Sequence, residues 1–185
     1  LIPRINAAGR IGFPGDAVEL LLTDDEGRAA LLAERLDSYN RKRQEIEKSI
    51  LNEILEEIET TTDISKISSL VLSSDTWHPG VIGIVASKLV DRYYRPTVLI
   101  SVKDGIGKGS GRSIVEFNLY EGLDTKCSSL LLSYGGHRYA AGISIRAEEI
   151  SRFSEILNET VRESIGSDRP APQTTIDARC TLKDI

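Results

Sequence analysis

A long stretch of helical periodicity occupies residues 25–59. Apolar side chains recur there three, four or seven positions apart, with Arg, Lys and Glu between them, at Leu36, Tyr39, Ile46, Ile50, Ile54 and Ile58. The stretch has no Pro and, after Gly27, no Gly. The pattern predicts one long helix, or two helices broken near residues 38–40, spanning up to about 50 Å at 1.5 Å per residue. We expect an acidic, solvated helix with one packed stripe, which connects the segments on either side of it.

The pattern changes at residue 67, where short apolar runs begin to alternate with helical segments. The runs "ISSLVLSS", "RPTVLISV" and "GISIRA" predict strands, and "HPGVIGIVASKLVDRYY" predicts a helix with Pro79 in its first turn. Two further helices are expected over about 118–132 and 147–164. This alternation predicts an α/β layer architecture with a mostly buried sheet.

The end of the chain has a different composition. "GSDRPAPQ" is typical of a linker, and "TTIDARCTL" after it alternates like a strand. That strand has no partner in the few residues that remain. We therefore expect a further β domain to begin here and to be cut off.

Composition restricts the setting in which the protein works. Of the 185 residues, 40% are hydrophobic, which is enough for one good core or two small ones. No apolar run approaches the roughly 20 residues of a membrane helix, and the first residues lack the layout of a signal peptide. Since the chain also lacks Met, we expect it to be cut from something longer. Cys127 and Cys180 form no CxxC or Cys/His cluster, so buried thiols in a reducing cytosol are expected.

Charge is distributed unevenly along the chain, whose net charge is −5. Residues 15–63 carry 14 acidic and 6 basic side chains, a balance of −8. Residues 77–146 carry 5 acidic and 9 basic side chains, a balance of +4. The middle of the chain is therefore where an anionic ligand would be attracted.

The segment "DGIGKGSGRS" is the first candidate for a ligand site. Its glycines alternate with Ile106, Lys108 and Ser110, which fits neither a dinucleotide fingerprint nor a P-loop. Alternating glycines would let a strand edge come within backbone reach of a ligand. Ser110, Arg112 and Ser113 then offer two hydroxyls and a guanidinium, which is phosphate-binding chemistry. A flexible hairpin with an ordinary surface arginine explains this segment equally well.

The two histidines of the chain mark the other candidates. His78, in "TWHPGVIGIV", starts a helix whose free N–H groups could receive an anion, although a cap or packing role is more usual. His137 follows Gly135 and Gly136 in "SYGGHRYAAG", where a tight turn with an exposed histidine is the simplest interpretation. No HExxH, acidic–histidine cluster or Ser-His-Asp spacing is present. A complete metal centre built from this chain is therefore not expected.

Four motifs together carry a family resemblance. "PRINAAGR", "WHPGVIGIVASKL", "GSGRS" and "GGHRYAAG", in this order and separation, resemble the RecJ family of single-strand-specific 5′ exonucleases, within the DHH phosphoesterase superfamily. The resemblance implies an α/β fold: a DHH-associated domain whose mixed β-sheet is flanked by helices, preceded by a long connector helix. Residues 1–22 would be the tail of the catalytic DHH domain, 23–62 the connector, 63–166 the substrate-binding domain, and 167–185 a linker and the first strand of an OB-fold domain.

The resemblance also implies roles for particular residues. The catalytic aspartates and histidines of the family, which bind two Mn²⁺ or Mg²⁺ ions, lie upstream, and no Asp-His-His occurs here. No metal ligand is therefore expected in this chain, which by itself should be inactive. His137 would face the scissile phosphate and is the expected catalytic residue. The expected phosphate- and substrate-binding residues are Ser110, Gly111, Arg112, Ser113, Gly135, Gly136, His78, Arg4, Asn6 and Arg10.

The implied function is backbone binding of single-stranded DNA in a hydrolase of DNA repair and recombination. Single-stranded DNA is the expected partner, single-strand-binding protein is a candidate second partner, and no membrane is involved. The expected location is cytoplasmic. Two alternatives stay open: an oligoribonuclease or cyclic-dinucleotide phosphodiesterase of the same superfamily, and a nucleic-acid-binding module without chemistry of its own.

Overall fold

The structure, a computed structural model, describes residues 1–61, 63–64, 66–166, 170–172 and 176–178. Two short helices, α1 (Ile2–Ile11) and α2 (Pro14–Leu22), precede the long helix α3 (Glu26–Thr61). Helix α3 runs without a break at residues 38–40, so the prediction of one long helix is confirmed. Its buried side chains Leu36, Ile50, Ile54 and Ile58 are the apolar stripe that the periodicity predicted.

A five-stranded mixed sheet follows α3. Its elements are β1 (Leu70–Ser74), α4 (Ile82–Tyr93), β2 (Thr97–Lys103), β3 (Ile106–Arg112), α5 (Leu119–Gly122), β4 (Leu131–His137), β5 (Ala140–Arg146) and α6 (Ile150–Ile165). The strand order is β1-β2-β3-β5-β4, with β1 and β2 parallel and the other neighbours antiparallel. The α/β fold class with a mixed sheet and a preceding long helix is confirmed.

The two faces of the sheet are covered differently. One face packs along its length on α5 and α6, in a core that includes Val98, Ile143, Ile145, Phe153 and Leu157. The other face is covered by α4 and then α3, through Leu70, Leu99, Val85, Leu89 and Ile54. Because α4 lies over β2 and β3, the same face of β5 and β4 is left partly exposed.

Polar contacts fix α3 against the sheet. The buried Glu47 of α3 pairs with Arg43 on its own helix and, at 2.5 Å, with Lys88 of α4. The indole Nε1 of Trp77 donates to Glu53 of α3 at 3.1 Å. Arg95 donates to the carbonyl oxygens of Ile64 and Ile67, both at 2.8 Å, and so holds the segment that leaves α3.

Three local expectations were wrong. Helix α4 begins at Ile82, so Pro79 lies in a turn before the helix and not in its first turn. The helix expected over 118–132 is only the four residues of α5, continued by a π-helical turn (Leu123–Cys127) and a 3₁₀ turn (Ser128–Leu130). "SYGGH" is not a loop but the end of β4, and β4 and β5 form a hairpin. The expected strand over 174–182, with Cys180, lies largely outside the described residues.

Candidate nucleic-acid interface

Strand β3 turns two chemically different sides to the two faces of the sheet. Because side chains alternate along a strand, Gly107, Gly109 and Gly111 point to one face and Lys108, Ser110 and Arg112 to the other. Residues opposite each other on antiparallel strands share a face. The face that carries Lys108, Ser110 and Arg112 therefore continues on β5 with Ser144, Gly142 and Ala140. Ser133, Gly135 and His137 of β4 extend it once more. We call this surface of β3, β5 and β4 the open face.

The alternating glycines of β3 have a packing role. A Cβ added to Gly107 would lie 2.6 Å from Ile100 Cγ2, and one added to Gly111 would lie 2.7 Å from Leu119 Cδ2. Distances this short do not occur, so the glycines make room for the core. Strand β3 is also third of five in the sheet. The expectation that these glycines form a strand edge close to a ligand was therefore wrong, and Gly111 faces the core.

Arg112 is a partly buried cation at the centre of the site. Its Nη1 donates to Gly111 O at 2.7 Å and to Ser110 Oγ at 3.2 Å. Burial, followed by the nearby charge of Arg10, lowers the pKa of the Arg112 guanidinium. Among the described residues no carboxylate pairs with Arg112. Two like charges held together without an acid form a site that an anion would stabilise.

A glycine in α4 allows the helix to approach this guanidinium. A Cβ on Gly83 would lie 2.7 Å from Ser110 Oγ and 3.0 Å from Arg112 Nη2. A larger residue would displace the Ser110 hydroxyl and the Arg112 guanidinium from these positions. The first turn of α4 therefore lies directly over Ser110 and Arg112.

Arg10 and His78 complete this side of the site. Arg10 Nη1 donates to Gly80 O at 3.2 Å, and a Cβ on Gly80 would collide with the carbonyl oxygen of Arg10. His78 Nδ1 accepts from Gly80 N at 3.1 Å, which gives this histidine the turn-capping role that the residues alone favoured. The structure thus brings together Arg10, His78, Ser110 and Arg112 from three separate parts of the sequence.

The other candidates from α1 are placed differently. Arg4 donates through Nε to Asp37 Oδ1 of α3 at 2.7 Å, so it lies on a different side of α1 from Arg10. The hydrogen bonds from Arg41 and Arg4 lower the pKa of the Asp37 carboxyl. Asn6 precedes Arg10 by four residues, which places it on the same face of the helix and one turn away. Arg10 is therefore at the site, Asn6 is next to it, and Arg4 is not.

His137 shares the open face with Arg112. It lies opposite Ala140, and Ala140 lies opposite Arg112, so two strand spacings or about 10 Å separate the Cα atoms of His137 and Arg112. The His137 side chain is exposed. Ser113, in contrast, donates through Oγ to Phe117 O at 2.9 Å and stabilises the loop after β3 rather than the open face.

Gly135 and Gly136 have opposite environments. Gly136 has a φ of +150°, and a Cβ there would meet Ala140 O and lie 2.6 Å from Ala141 Cα. The β4–β5 pairing therefore requires glycine at 136. A Cβ on Gly135 would meet nothing within 4 Å, and one on its partner Gly142 would reach only Gly109 O, at 3.9 Å. The chain itself does not require glycine at 135 and 142, and both backbones are accessible on the open face.

Some residues of the open face had not been singled out in the sequence. Lys108 and Arg146 are exposed on it, Gly142 lies between Ser110 and Gly135, and Gly83 holds α4 close. For Lys108 the signal was its alternation with Ser110 and Arg112. For Gly83, Gly142 and Arg146 the sequence carried no signal, because their role depends on which strands become neighbours.

No group of three or more His, Cys, Asp or Glu side chains that could hold a metal ion occurs in the described ranges. The residues brought together at the site are instead cationic or hydroxylic. In the same ranges, no helix is both long and apolar enough to cross a membrane.

Comparison with known proteins identifies relatives for the whole chain. Residues 64–163 match the DHHA1 domain family. The chain is 38% identical over 187 residues to the single-stranded-DNA-specific exonuclease RecJ of Bacillus subtilis and 39% identical over 168 residues to that of Escherichia coli. These matches cover 100% and 87% of this chain but only 23% and 29% of the two relatives. The chain thus corresponds to about a quarter of the length of these proteins.

The fold is also similar to solved structures. The crystal structures of RecJ from Thermus thermophilus, in complex with Mg²⁺ and with Mn²⁺, superpose with a TM-score of 0.78 and 34% sequence identity. They cover 87% of this chain, which in turn covers 24% and 23% of theirs. The resemblance carried by the four motifs is therefore confirmed at the level of both sequence and fold.

Proposed function

The chain belongs to the DHHA1 domain family, and from this premise we propose that it is the nucleic-acid-binding part of a single-strand-specific 5′–3′ DNA exonuclease. The proposal concerns the activity of the whole protein. It is supported by the RecJ relatives, which are named single-stranded-DNA-specific exonucleases. Their identity over nearly the whole chain favours this activity over an oligoribonuclease, a cyclic-dinucleotide phosphodiesterase or a module without chemistry. The corresponding cellular role is DNA repair and recombination.

One observation carries the proposed binding mode: Arg112 and Arg10 converge beside Ser110 and have no carboxylate partner among the described residues. A DNA phosphate would supply the missing negative charge. The guanidinium can hold two phosphate oxygens at once, and the Ser110 hydroxyl can donate a further hydrogen bond. Contacts of this kind bind DNA without reading its sequence, as an exonuclease requires.

The open face extends this binding surface toward His137. Gly135 and Gly142 carry no side chain where the fold would tolerate one, so a DNA backbone can lie directly on the sheet. We assign His137 to the scissile phosphate, about two strand spacings from the phosphate held at Arg112. Asn6 would contribute a polar contact from α1, next to Arg10.

The catalytic metal lies outside this chain in our proposal. The relatives from Thermus thermophilus were crystallised with Mg²⁺ and with Mn²⁺, whereas the described residues offer no cluster of ligands for such ions. Residues 1–22 would belong to the catalytic domain, 23–62 to its connector, 63–166 to the substrate-binding domain and 167–185 to the start of an OB-fold domain. The protein would act in the cytoplasm, and single-strand-binding protein is a candidate partner.

The test is a substitution series at Arg112 in the full-length protein, with binding of labelled single-stranded DNA measured against salt. Arg112→Lys keeps the charge but loses the paired hydrogen bonds, so binding should be clearly weaker. Arg112→Ala should be weakest and should lower the log–log salt slope by about 0.7, the value for one released counterion on a single strand. The loss should be similar for every DNA sequence.

Arg152→Ala is the matched control, because it removes the same charge from α6, on the opposite face of the sheet. Its affinity and salt slope should equal those of the unmodified protein. Unchanged binding in Arg112→Ala would refute the phosphate site at Ser110 and Arg112.

A further inference from the structure

Basic side chains continue along the open face beyond Ser110, toward the turn between β2 and β3. Lys108 precedes Ser110 by two residues on the same face, and Arg146 lies opposite Ile106. Lys103, opposite Ile106 on β2, completes the group. All three are exposed, and in the described part of the chain none of them forms an ion pair. Their charges are therefore available to a ligand.

A cleft of about 680 Å³ opens beside these residues. It lies between the loop that joins β1 to α4 and the turn that joins β2 to β3. Its volume falls within the range of about 300–1,000 Å³ that small-molecule sites occupy. The apolar side chains that line it are Trp77, Pro79 and Ile106. The charged or basic side chains are His78, Lys103 and Lys108, with the carboxylates of Asp75 and Asp104.

The cleft is continuous with the phosphate site. His78 lines the cleft and also caps the turn against Arg10. Lys108 lines the cleft and stands four residues from Arg112 on the same strand, or about 13 Å at 3.3 Å per residue. Across that separation, the two residues can bind different phosphates of one strand.

We propose that this cleft is a second nucleotide subsite, which takes a nucleotide of the same single-stranded DNA whose other phosphate is held at Arg112. The inference rests on the proposed function. The phosphate lies at Lys108, with Lys103 and Arg146 nearby, and the base enters the cleft against Pro79 and Ile106, the latter 38% exposed. Because Asp75 and Asp104 would repel a phosphate, the interior suits the base, whose amino groups can donate to carboxylates.

The experiment measures binding of labelled single-stranded DNA by the full-length protein and its Lys108→Ala variant. Lys108 is exposed and makes no polar contact within the described ranges, so the variant is expected to fold. Its affinity should fall several-fold, and its log–log salt slope should decrease by about 0.7. With the unmodified protein, a scan of single abasic positions should find one internal position at which loss of the base weakens binding.

Lys126→Ala is the matched control, since it removes an equally charged, exposed lysine from the opposite face of the sheet. An equal loss in both variants would mean general electrostatic attraction and would overturn the subsite. If Arg112→Ala weakens binding while Lys108→Ala does not, the subsite is refuted and the proposed function stands. If neither variant weakens binding, both fail. A flat abasic scan would remove the base-binding role of the cleft.

Discussion

Arg112 illustrates how neighbouring residues prepare one side chain for a ligand. Ser110 and the Gly111 carbonyl hold its guanidinium, and Gly83 allows α4 to cover it. Burial and then the nearby charge of Arg10 make the charged form of the Arg112 guanidinium less favourable, and so lower its pKa. A guanidinium stays protonated under such conditions, so the cost is relieved by binding an anion rather than by losing a proton.

His137 differs from Arg112 because the fold makes little use of it. Its exposed side chain stands at the end of β4, on the open face. We expect His137→Ala in the full-length protein to lower the turnover of single-stranded DNA by about 100-fold or more, the usual range for a proton-transfer group. The free energy of unfolding should change by no more than about 0.5 kcal/mol, as for other surface substitutions.

Steady-state hydrolysis and thermal unfolding, measured on the same preparations, check this prediction. Ser129→Ala, in the exposed turn before β4 and not on the open face, is the control and should leave turnover unchanged. A lower melting temperature with unchanged turnover per folded molecule would instead assign His137 a structural role.

At the scale of elements, the β4–β5 hairpin combines a rigid pairing with an accessible surface. Gly136 meets the backbone of β5 directly, whereas Gly135, one residue earlier, meets nothing. The two glycines of one motif therefore serve different purposes. Gly136 allows the strands to pair, and Gly135 leaves the open face uncovered.

This contrast predicts opposite effects of two equivalent substitutions. Gly136→Ala should destabilise the protein by about 1–3 kcal/mol or more, because its φ of +150° is strained for any side chain and its Cβ would collide with β5. Gly135→Ala should stabilise it by about 0.5–1 kcal/mol, since alanine loses less backbone entropy in a strand. Denaturant unfolding of both variants checks these values.

Binding measurements add a second readout for the hairpin. Gly135→Ala should weaken binding of single-stranded DNA although it folds well, because its methyl group would occupy the path of the backbone. If the two variants unfolded with the same free energy, the pairing described for Gly136 would be wrong.

At the scale of the whole molecule, two cores share one sheet. The core with α5 and α6 covers most of one face, and the core with α3 and α4 covers only part of the other. Helix α3 is held to α4 and to the segment after β1 by Glu47 and Glu53. Helices α1 and α2 pack on the first half of α3. This arrangement carries Arg10 of α1 across to Arg112 of β3.

The same arrangement predicts binding without hydrolysis by this 185-residue chain. We expect the isolated chain to bind single-stranded DNA weakly and to show no nuclease activity with Mn²⁺ or Mg²⁺, because two-metal hydrolysis requires ligands that hold ions about 4 Å apart. Release of labelled nucleotides by purified chain, with and without EDTA, is the measurement. Release that depends on the metal and persists through further purification would contradict the prediction.

Several features of the site could be predicted from the sequence because they depend on neighbouring residues in the chain. The alternation of Ser110 and Arg112 put them on one face of a strand, whatever that strand's partners. The periodicity from 25 to 59 defined the buried stripe of α3. The charge balance of residues 77–146 located the cationic part of the chain, where Lys108, Arg112 and Arg146 lie.

Other features were decided by the tertiary structure, because they depend on residues distant in sequence. The same alternation could not tell that Gly107, Gly109 and Gly111 face Ile100, Ile143 and Leu119, since that requires the order of the strands. Nor could residue spacing show that Gly136 packs against β5 while Gly135 stays accessible. It also could not show that Arg10 lies at the site while Arg4 pairs with Asp37. The sequence by itself determined which residues carry positive charge, and it predicted α3, α4, α6 and the strands β1, β2 and β5, whose patterns are local. Only the tertiary structure decided which cationic side chains lie close together with no carboxylate partner among the described residues. That depends on how α1, α4 and β3 pack against one another.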